Sequence, residues 1–263
     1  MEGFVNYYIE EPQENYTILR GEKDVYKFTL KPTKVVLTDL SNSKQTLNFA
    51  TKGLTYSTFP TKVKNIGDTL TSIQKEAYEE ELKVLINENV DNVQDIIAFD
   101  HTIRSSNSTG TRNSPAIHVH GDYDQDMGVQ RMKNLLGPEK ASEWFKDDKY
   151  HVGIINVWRP LDNPVERSPL GHIDISTVRN EDWKKVKIEY GNRIGNIQGL
   201  VHNPNHKWLM IDHMSPDQVW IFCQFDSNTK MCVPHTAIDV IGTKENAKAR
   251  KSIESRCMIR YKD

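Results

Sequence analysis

HVGIINVW (151–158) is a short apolar run rich in β-branched residues, and further strand-like segments follow it. They are KVKIEY (185–190), IQGLVH (197–202), HKWLMI (206–211), QVWIFCQF (218–225) and SIESRCMIRY (252–261). Each has the length and composition of a strand, and turn signals separate them. Many short strands divided in this way favour an antiparallel sandwich or barrel.

The chain N-terminal to this region reads differently. VYKFTL (25–30) and KVVLTDL (34–40) are strand-like and bounded by Pro, Lys and Asn/Ser clusters. A helix is then predicted over 71–87, where Ile73, Ala77, Leu82, Leu85 and Ile86 recur at helical spacing and Thr71 with Gln74 can form a capping box. Glutamates crowd its other face, so it is expected to cover the outside of a sheet. SSNSTGTRNSP (105–115) is the clearest loop, and AIHVHGDYD (116–124) after it reads as a strand by its alternation. A short helix is expected at 129–136, ending at Gly137, with Pro138 in the first turn of another through Trp144.

The 263 residues carry a formal charge of −2, and no basic excess suggests nucleic acid. No run approaches the length of a membrane-spanning helix, and MEGFVNYYIEEPQ (1–13) lacks the pattern of a secretory signal. Cys223, Cys232 and Cys257 are odd in number and unpaired in spacing, which predicts buried free thiols in a reducing compartment, with cytoplasm the default. No internal repeat is visible.

The sharpest local feature is His120-Gly121-Asp122. On a strand, residues two apart share a face, so the imidazole and the carboxylate project side by side and can chelate one cation such as Fe(II). His235, in VPHT (233–236), is the candidate third ligand, far along the chain where a returning strand can bring it beside His120. Two His and one carboxylate leave three octahedral positions open, as a 2-oxoglutarate oxygenase requires. His118 shares the face of His120 and competes as a ligand or as its support. A zinc site of His118, His120 and Asp122 is the rival, although no HExxH-like motif supplies a general base.

Arg250 and Ser252, fifteen and seventeen residues after His235, face one way by the strand period. A guanidinium beside a hydroxyl is a receptor for the distal carboxylate of 2-oxoglutarate. Glu254 and Arg256 continue that face, either paired with each other or with Arg256 as the second choice of anchor. Asn156, Trp158 and Arg159 are candidate substrate contacts; a bond to neighbouring backbone is the equal alternative for Asn156, and for Arg159 the choice is a substrate carboxylate or an acid such as Asp162. His202, His206 and His213 read as ordinary loop or strand-end histidines, and Trp208 and Trp220 as core.

Taken in order, HGDY (120–123), INVWRPL (155–161), NPNHKW (203–208), MSPDQVWIFCQFDS (214–227), VPHTAI (233–238) and ARKSIESR (249–256) resemble the hydroxylase/desaturase family, which includes AsaB- and CmcJ-like proteins and the fungal gibberellin desaturase. The resemblance runs from FDHTIRSS (99–106) to Arg256. It implies a distorted jelly roll (double-stranded β-helix), Fe(II) on His120, Asp122 and His235, and 2-oxoglutarate on Arg250 and Ser252. It also implies an oxygenase of secondary metabolism. Such an enzyme consumes O2 and 2-oxoglutarate, releases succinate and CO2, and hydroxylates, desaturates or cyclises a small molecule. The chain departs from the family at Lys251, where Glu is expected, and at His202, where relatives carry Tyr; His202 and Tyr123 join the candidate substrate contacts. The expected organisation is one oxygenase domain over 1–263, with 1–98 a strand/helix region packing on the jelly-roll core. The third alternative is a non-catalytic jelly-roll binding protein, against which the complete triad and anchor argue.

Overall fold

The computed structural model describes residues 1–12, 16–19, 25–41, 43, 47–108, 113–190 and 193–262. Its N-terminal elements are β1 (Glu2–Tyr8), β2 (Thr17–Leu19), β3 (Val25–Tyr26), β4 (Leu30–Asp39), the short α1 (Phe49–Lys52), β5 (Leu54–Thr58) and α2 (Ser72–Asn89). Then come β6 (Val93–Ser105), β7 (His120–Gly121), α3 (Gln125–Lys146), β8 (His151–Leu161) and β9 (Leu170–Ile173). The chain closes with β10 (Trp183–Tyr190), β11 (Arg193–Leu200), β12 (Trp208–Met210), β13 (Gln218–Asp226), β14 (His235–Ala237), β15 (Asp239–Val240) and β16 (Lys251–Tyr261).

Among the described residues the strands form two curled sheets. The smaller runs β5-β13-β8-β16-β6 and is antiparallel throughout. The larger runs β15-β1-β4-β12-β9-β14-β7-β11-β10-β2-β3 and contains two parallel pairs, β4 with β12 and β2 with β10. The sandwich is therefore mixed where the sequence predicts antiparallel pairing alone. β1 and β4 are integral to the large sheet and β5 to the small one, so strands of the first 98 residues are built into both sheets.

The run 151–158 lies in β8, at the centre of the small sheet. Its near-continuous apolar character reflects burial on both faces. Ile155 and Val157 pack with Ile253 and Cys257 against Tyr78, Leu82, Leu85 and Ile86 of α2. Asn156 and Trp158 point the other way, toward the large sheet.

The capping box predicted for α2 is present: Gln74 N–H donates to Thr71 Oγ1 at 3.3 Å, and Thr71 N–H donates to Gln74 Oε1 at 3.0 Å. Of the predicted stripe, Leu82, Leu85 and Ile86 are buried, whereas its N-terminal part is not. Ile73 is 82% exposed and Ala77 is exposed, while Tyr78 is buried. Nine residues separate Ile73 from Leu82, about half a turn off at 3.6 residues per turn, so Ile73 faces solvent. In α3, Gly137 (φ 73°, ψ 167°) breaks the helix before Pro138, where the sequence placed the junction. Its two halves pack Met132 and Trp144 on Ile154, Phe225 and Met258.

AIHVHGDYD is not a full strand. Only His120 and Gly121 pair, with an isolated bridge from His118 to Asn6. The backbone N–H of Asp122 donates to a side chain, Gln224 Oε1, at 2.7 Å, and Asp124 turns to cap α3 by accepting from Met127 N–H. The predicted loop 105–115 begins at the end of β6, and 109–112 lie outside the described residues.

Candidate metal centre

Neighbouring strands of the large sheet carry the two imidazoles. His120 of β7 lies opposite His235 of β14, and His235 lies opposite His172 of β9. The rings of His120 and His235 are 4.4 Å apart, centroid to centroid. Asp122 follows Gly121, and one ligand atom from each of His120, Asp122 and His235 lies within 4.8 Å of the other two.

Each ligand has its far side occupied. The Nδ1 of His120 lies 2.8 Å from His118 O, and that of His235 lies 3.2 Å from Val233 O. A carbonyl only accepts, so both Nδ1 atoms carry the proton and both Nε2 lone pairs are free for a cation. Burial, then the neighbouring His235, pushes the His120 imidazole down to about 3; burial also lowers His235. Both rings are thus neutral at pH 7, as metal ligation needs. For Asp122, Oδ2 accepts from Asn156 Nδ2 at 2.9 Å and Arg256 Nε at 3.1 Å, while Oδ1 faces His120 Nε2 at 3.7 Å. Burial would raise this carboxyl, but Arg256 and the two imidazoles hold it well below the usual carboxylate range.

Gln224 ties the ligand segments together, and the sequence reading missed it. Its Oε1 accepts from Asp122 N–H, and its Nε2 donates to Val233 O at 2.8 Å and Cys223 O at 2.9 Å. The register of β13 against β8 shifts between Cys223 and Phe225, so Gln224 occupies a bulge that turns it inward. The available signal was a buried amide in the apolar run QVWIFCQF, the same signal that singled out Asn156. His172 was also missed: it is fully buried, neither nitrogen has a hydrogen-bond partner among the described residues, and its ring packs on Trp220 and Phe222 behind His235. Gly121 is required by space, since a Cβ there would collide with Cys232 Sγ.

The site opens into a cavity of about 970 Å3 between the sheets. His118, Tyr123, Trp158, Arg250 and Arg256 line it. His118 lies outside the ligand cluster; its Nδ1 is 3.0 Å from Tyr8 OH. Arg250 is buried, donates to Ser168 O at 2.5 Å and stands over the Trp158 ring at 5.5 Å. It makes no ion pair with any described carboxylate, and its Nε has no partner. Burial, then the nearby Arg104, lowers its guanidinium to about 9. Ser252 is buried with an unpartnered hydroxyl.

Other candidates fall elsewhere. Arg256 is already engaged by Asp122, Asp100 and Glu254, which leaves it no free edge for a second carboxylate. Arg159 is on the opposite face of β8, donating to Phe59 O at 2.8 Å and standing over the Tyr78 ring, while Asp162 pairs with Lys251. Alternation along β8 sends Arg159 away from the face that Trp158 presents. His202 is exposed on the large sheet's periphery, edge-on to Tyr7, and does not line the cavity. Asn156 stands behind Asp122 as its hydrogen-bond donor. His206 joins Asn203 and Arg179 in holding the buried Asp182. All three cysteines are free and buried.

A family model described as an oxidoreductase/YMDC permease-like domain matches residues 5–260. The chain belongs to this oxidoreductase/YMDC permease-like family. Among its relatives, this family member is 29% identical over 170 residues to the oxidoreductase clz16 of Cochliobolus lunatus, covering 61% of this chain and 58% of clz16. The match thus spans less than two thirds of that relative's length. It is 26% identical over 267 residues to the hydroxylase/desaturase efuI of Hormonema carpetanum, covering 90% of this chain and 86% of efuI. A solved structure of the iron and alpha-ketoglutarate-dependent endoperoxidase NvfI superposes with a TM-score of 0.87 at 20% identity, over 100% of this chain and 98% of that one. The family member therefore has the same fold, a distorted jelly roll with flanking helices. Among the described residues no helix is long and apolar enough to cross a membrane.

Proposed function

We propose that the chain is an Fe(II)- and 2-oxoglutarate-dependent oxygenase that activates a C–H bond of a small molecule in secondary metabolism, releasing succinate and CO2. One observation carries this reading. Two neutral imidazoles and a carboxylate converge with their far sides bonded, in the same cavity as a buried arginine that makes no ion pair with any described carboxylate. The names of efuI and NvfI support it.

His120, Asp122 and His235 fit iron in donor type and in the direction of their free lone pairs. Iron held there supplies the activation of dioxygen, coupled to oxidative decarboxylation of 2-oxoglutarate. The protein's own groups do the rest. Arg256 and Asn156 fix Asp122 so that one oxygen stays available, and Gln224 holds the HGD segment against the VPH segment. Arg250 takes the distal carboxylate, with Ser252 beside it. A buried cation without a counter-charge is costly, and a dianionic co-substrate removes that cost. The sheets exclude water around the reacting centre.

The test is anaerobic. Fe(II) and then 2-oxoglutarate are added to the folded protein, and the weak visible charge-transfer absorption of the chelate is sought. The band is expected in the wild type and absent from His235→Ala. A folded, iron-loaded wild type without the band refutes the reading.

A further inference from the structure

The cavity is divided by polarity. Of the charged side chains that line it, Asp100, Arg104, Arg250, Glu254 and Arg256 come from β6, β16 and the segment entering β16, on the small-sheet side. Asp122 follows β7, Arg131 belongs to α3, and Asp68 precedes α2. The large sheet contributes no charged side chain among the described residues: beyond the histidines it presents Tyr26, Leu170, Ile188, Ile194 and Ile197 with small or amide groups between. One half of the cavity is thus a charged surface and the other an apolar wall.

The charges balance. Among the described residues, four carboxylates (Asp68, Asp100, Asp122, Glu254) line the cavity with four guanidiniums (Arg104, Arg131, Arg250, Arg256). A divalent cation and a dianionic co-substrate add nothing net. An ionised substrate would therefore enter a low-dielectric space with no compensating charge left for it, which is unfavourable. The mouth points the same way. Ile117 and Ile194 line the cavity yet are 49% and 62% exposed, so apolar surface waits at the entrance for a partner. The volume, near the top of the range for small-molecule sites, accommodates 2-oxoglutarate and a drug-sized second ligand together.

We propose that the substrate is an uncharged, largely hydrocarbon molecule that lies against the isoleucine wall of β10 and β11 while 2-oxoglutarate occupies the charged small-sheet side. This rests on the oxygenase reading above. The two carboxylates of 2-oxoglutarate use the iron and Arg250, and the substrate's apolar body is held by Ile188 and Ile197, on the face that the register gives to His120, with Ile194 and Ile117 at the mouth and its reacting C–H turned toward the metal.

The experiment uses protein loaded anaerobically with Fe(II) and 2-oxoglutarate. Binding of neutral Nile red and anionic 8-anilinonaphthalene-1-sulfonate is followed by fluorescence, and the charge-transfer band is recorded in the same samples. Nile red is expected to bind more tightly than the sulfonate. Ile194→Asp and Ile117→Asp, both at exposed positions and so compatible with folding, are each expected to weaken Nile red by roughly 10-fold, the effect of losing about half of an isoleucine's burial. Ile73→Asp, on the outer face of α2, is expected to change nothing. Tighter binding of the sulfonate, or Nile red binding unchanged in both Ile194→Asp and Ile117→Asp, with the band intact, overturns this proposal and leaves the oxygenase reading standing. Absence of the band in the folded wild type overturns both.

Discussion

Replacing Arg250 by Met separates the cost of a buried charge from its use. Arg250 is buried, and burial with Arg104 nearby lowers its guanidinium from 12.5 to about 9. A fall of that size disfavours the charged fold by at most roughly 4–5 kcal/mol. The sign follows from the direction. A base whose folded pKa is depressed destabilises the fold at neutral pH, and that loss is recovered only as pH rises from about 9 toward 12.5. Two contacts offset it: the hydrogen bond to Ser168 O and the Trp158 ring beneath the guanidinium, together worth about 2–4 kcal/mol. The balance is close to even, so Arg250→Met is expected to unfold in urea within about 2 kcal/mol of the wild type when no ligand is present. With 2-oxoglutarate the two diverge. Losing a bidentate charge-assisted pair costs about 3 kcal/mol, or roughly 100-fold in affinity. At a concentration 100 times its Kd, 2-oxoglutarate stabilises the wild type by about 2.7 kcal/mol and the variant by less than 1. Urea denaturation with and without 2-oxoglutarate measures the stabilities, and anaerobic titration of the charge-transfer band measures the affinity. If Arg250→Met binds 2-oxoglutarate within threefold of the wild type, Arg250 is not the anchor. If the variant loses more than about 3 kcal/mol without ligand, the guanidinium is structural and the reasoning fails.

Gln224→Ala is expected to leave the far-ultraviolet spectrum unchanged while weakening Fe(II) binding about 10–100-fold, because the HGD and VPH segments lose their link; an unchanged metal Kd would contradict this. Gly121→Ala places a methyl group against Cys232 Sγ and 3.3 Å from the Trp183 ring, and is expected to cost about 1–3 kcal/mol in urea. The double variant Gly121→Ala/Cys232→Ala should recover part of that loss, and no recovery would mean the sulfur is not the obstacle. Asp182 is raised by burial, but hydrogen bonds from Arg179, Asn203 and His206 outweigh this and bring it down to about 2. A depressed carboxyl contributes stability above its ordinary pKa and loses it as pH falls through the folded one. The wild type's advantage over Asp182→Asn should therefore shrink by about 2 kcal/mol between pH 4 and pH 2 in urea denaturation, and a constant gap would sink the assignment.

The strands with the strongest composition were legible. β8 and β13 are buried on both faces and so carry nearly continuous apolar runs, while β16 was legible from its apolar Ile253 and Cys257–Ile259 despite the polar residues between. β6 was only partly legible: FDHTIRSS was noted, but the strand runs from Val93 and alternates polar groups that face the cavity or α2. The two-residue β7 and β15 are too short for any periodicity to register. The edge of α2 was misread because Ile73 is apolar yet meets nothing, and exposed single isoleucines are ordinary in folded proteins. At the site, the three ligand candidates were legible because the donor types are rare and their order along the chain matches a known pattern. Gln224 was not, because its role depends on a register shift that composition does not encode.

Arg159 and Arg250 show where sequence reading stops. Both are buried arginines without a carboxylate in ion-pair range among the described residues, and both stand over an aromatic ring. Sequence alone offered each as a contact for an anion. They differ in which face of the small sheet they occupy. Arg159 is one residue past Trp158, and the period of two sends it under α2, where Phe59 O and two aromatic rings complete its surroundings. Arg250 precedes β16 and lines the cavity, whereas Ser252, two residues on, is buried with an unpartnered hydroxyl and is not among the lining residues. The same residue type is thus a structural cation on one face and, on the function proposed above, a ligand receptor on the other. What separates them is the large sheet: it leaves space over Arg250, whereas α2 fills the space over Arg159.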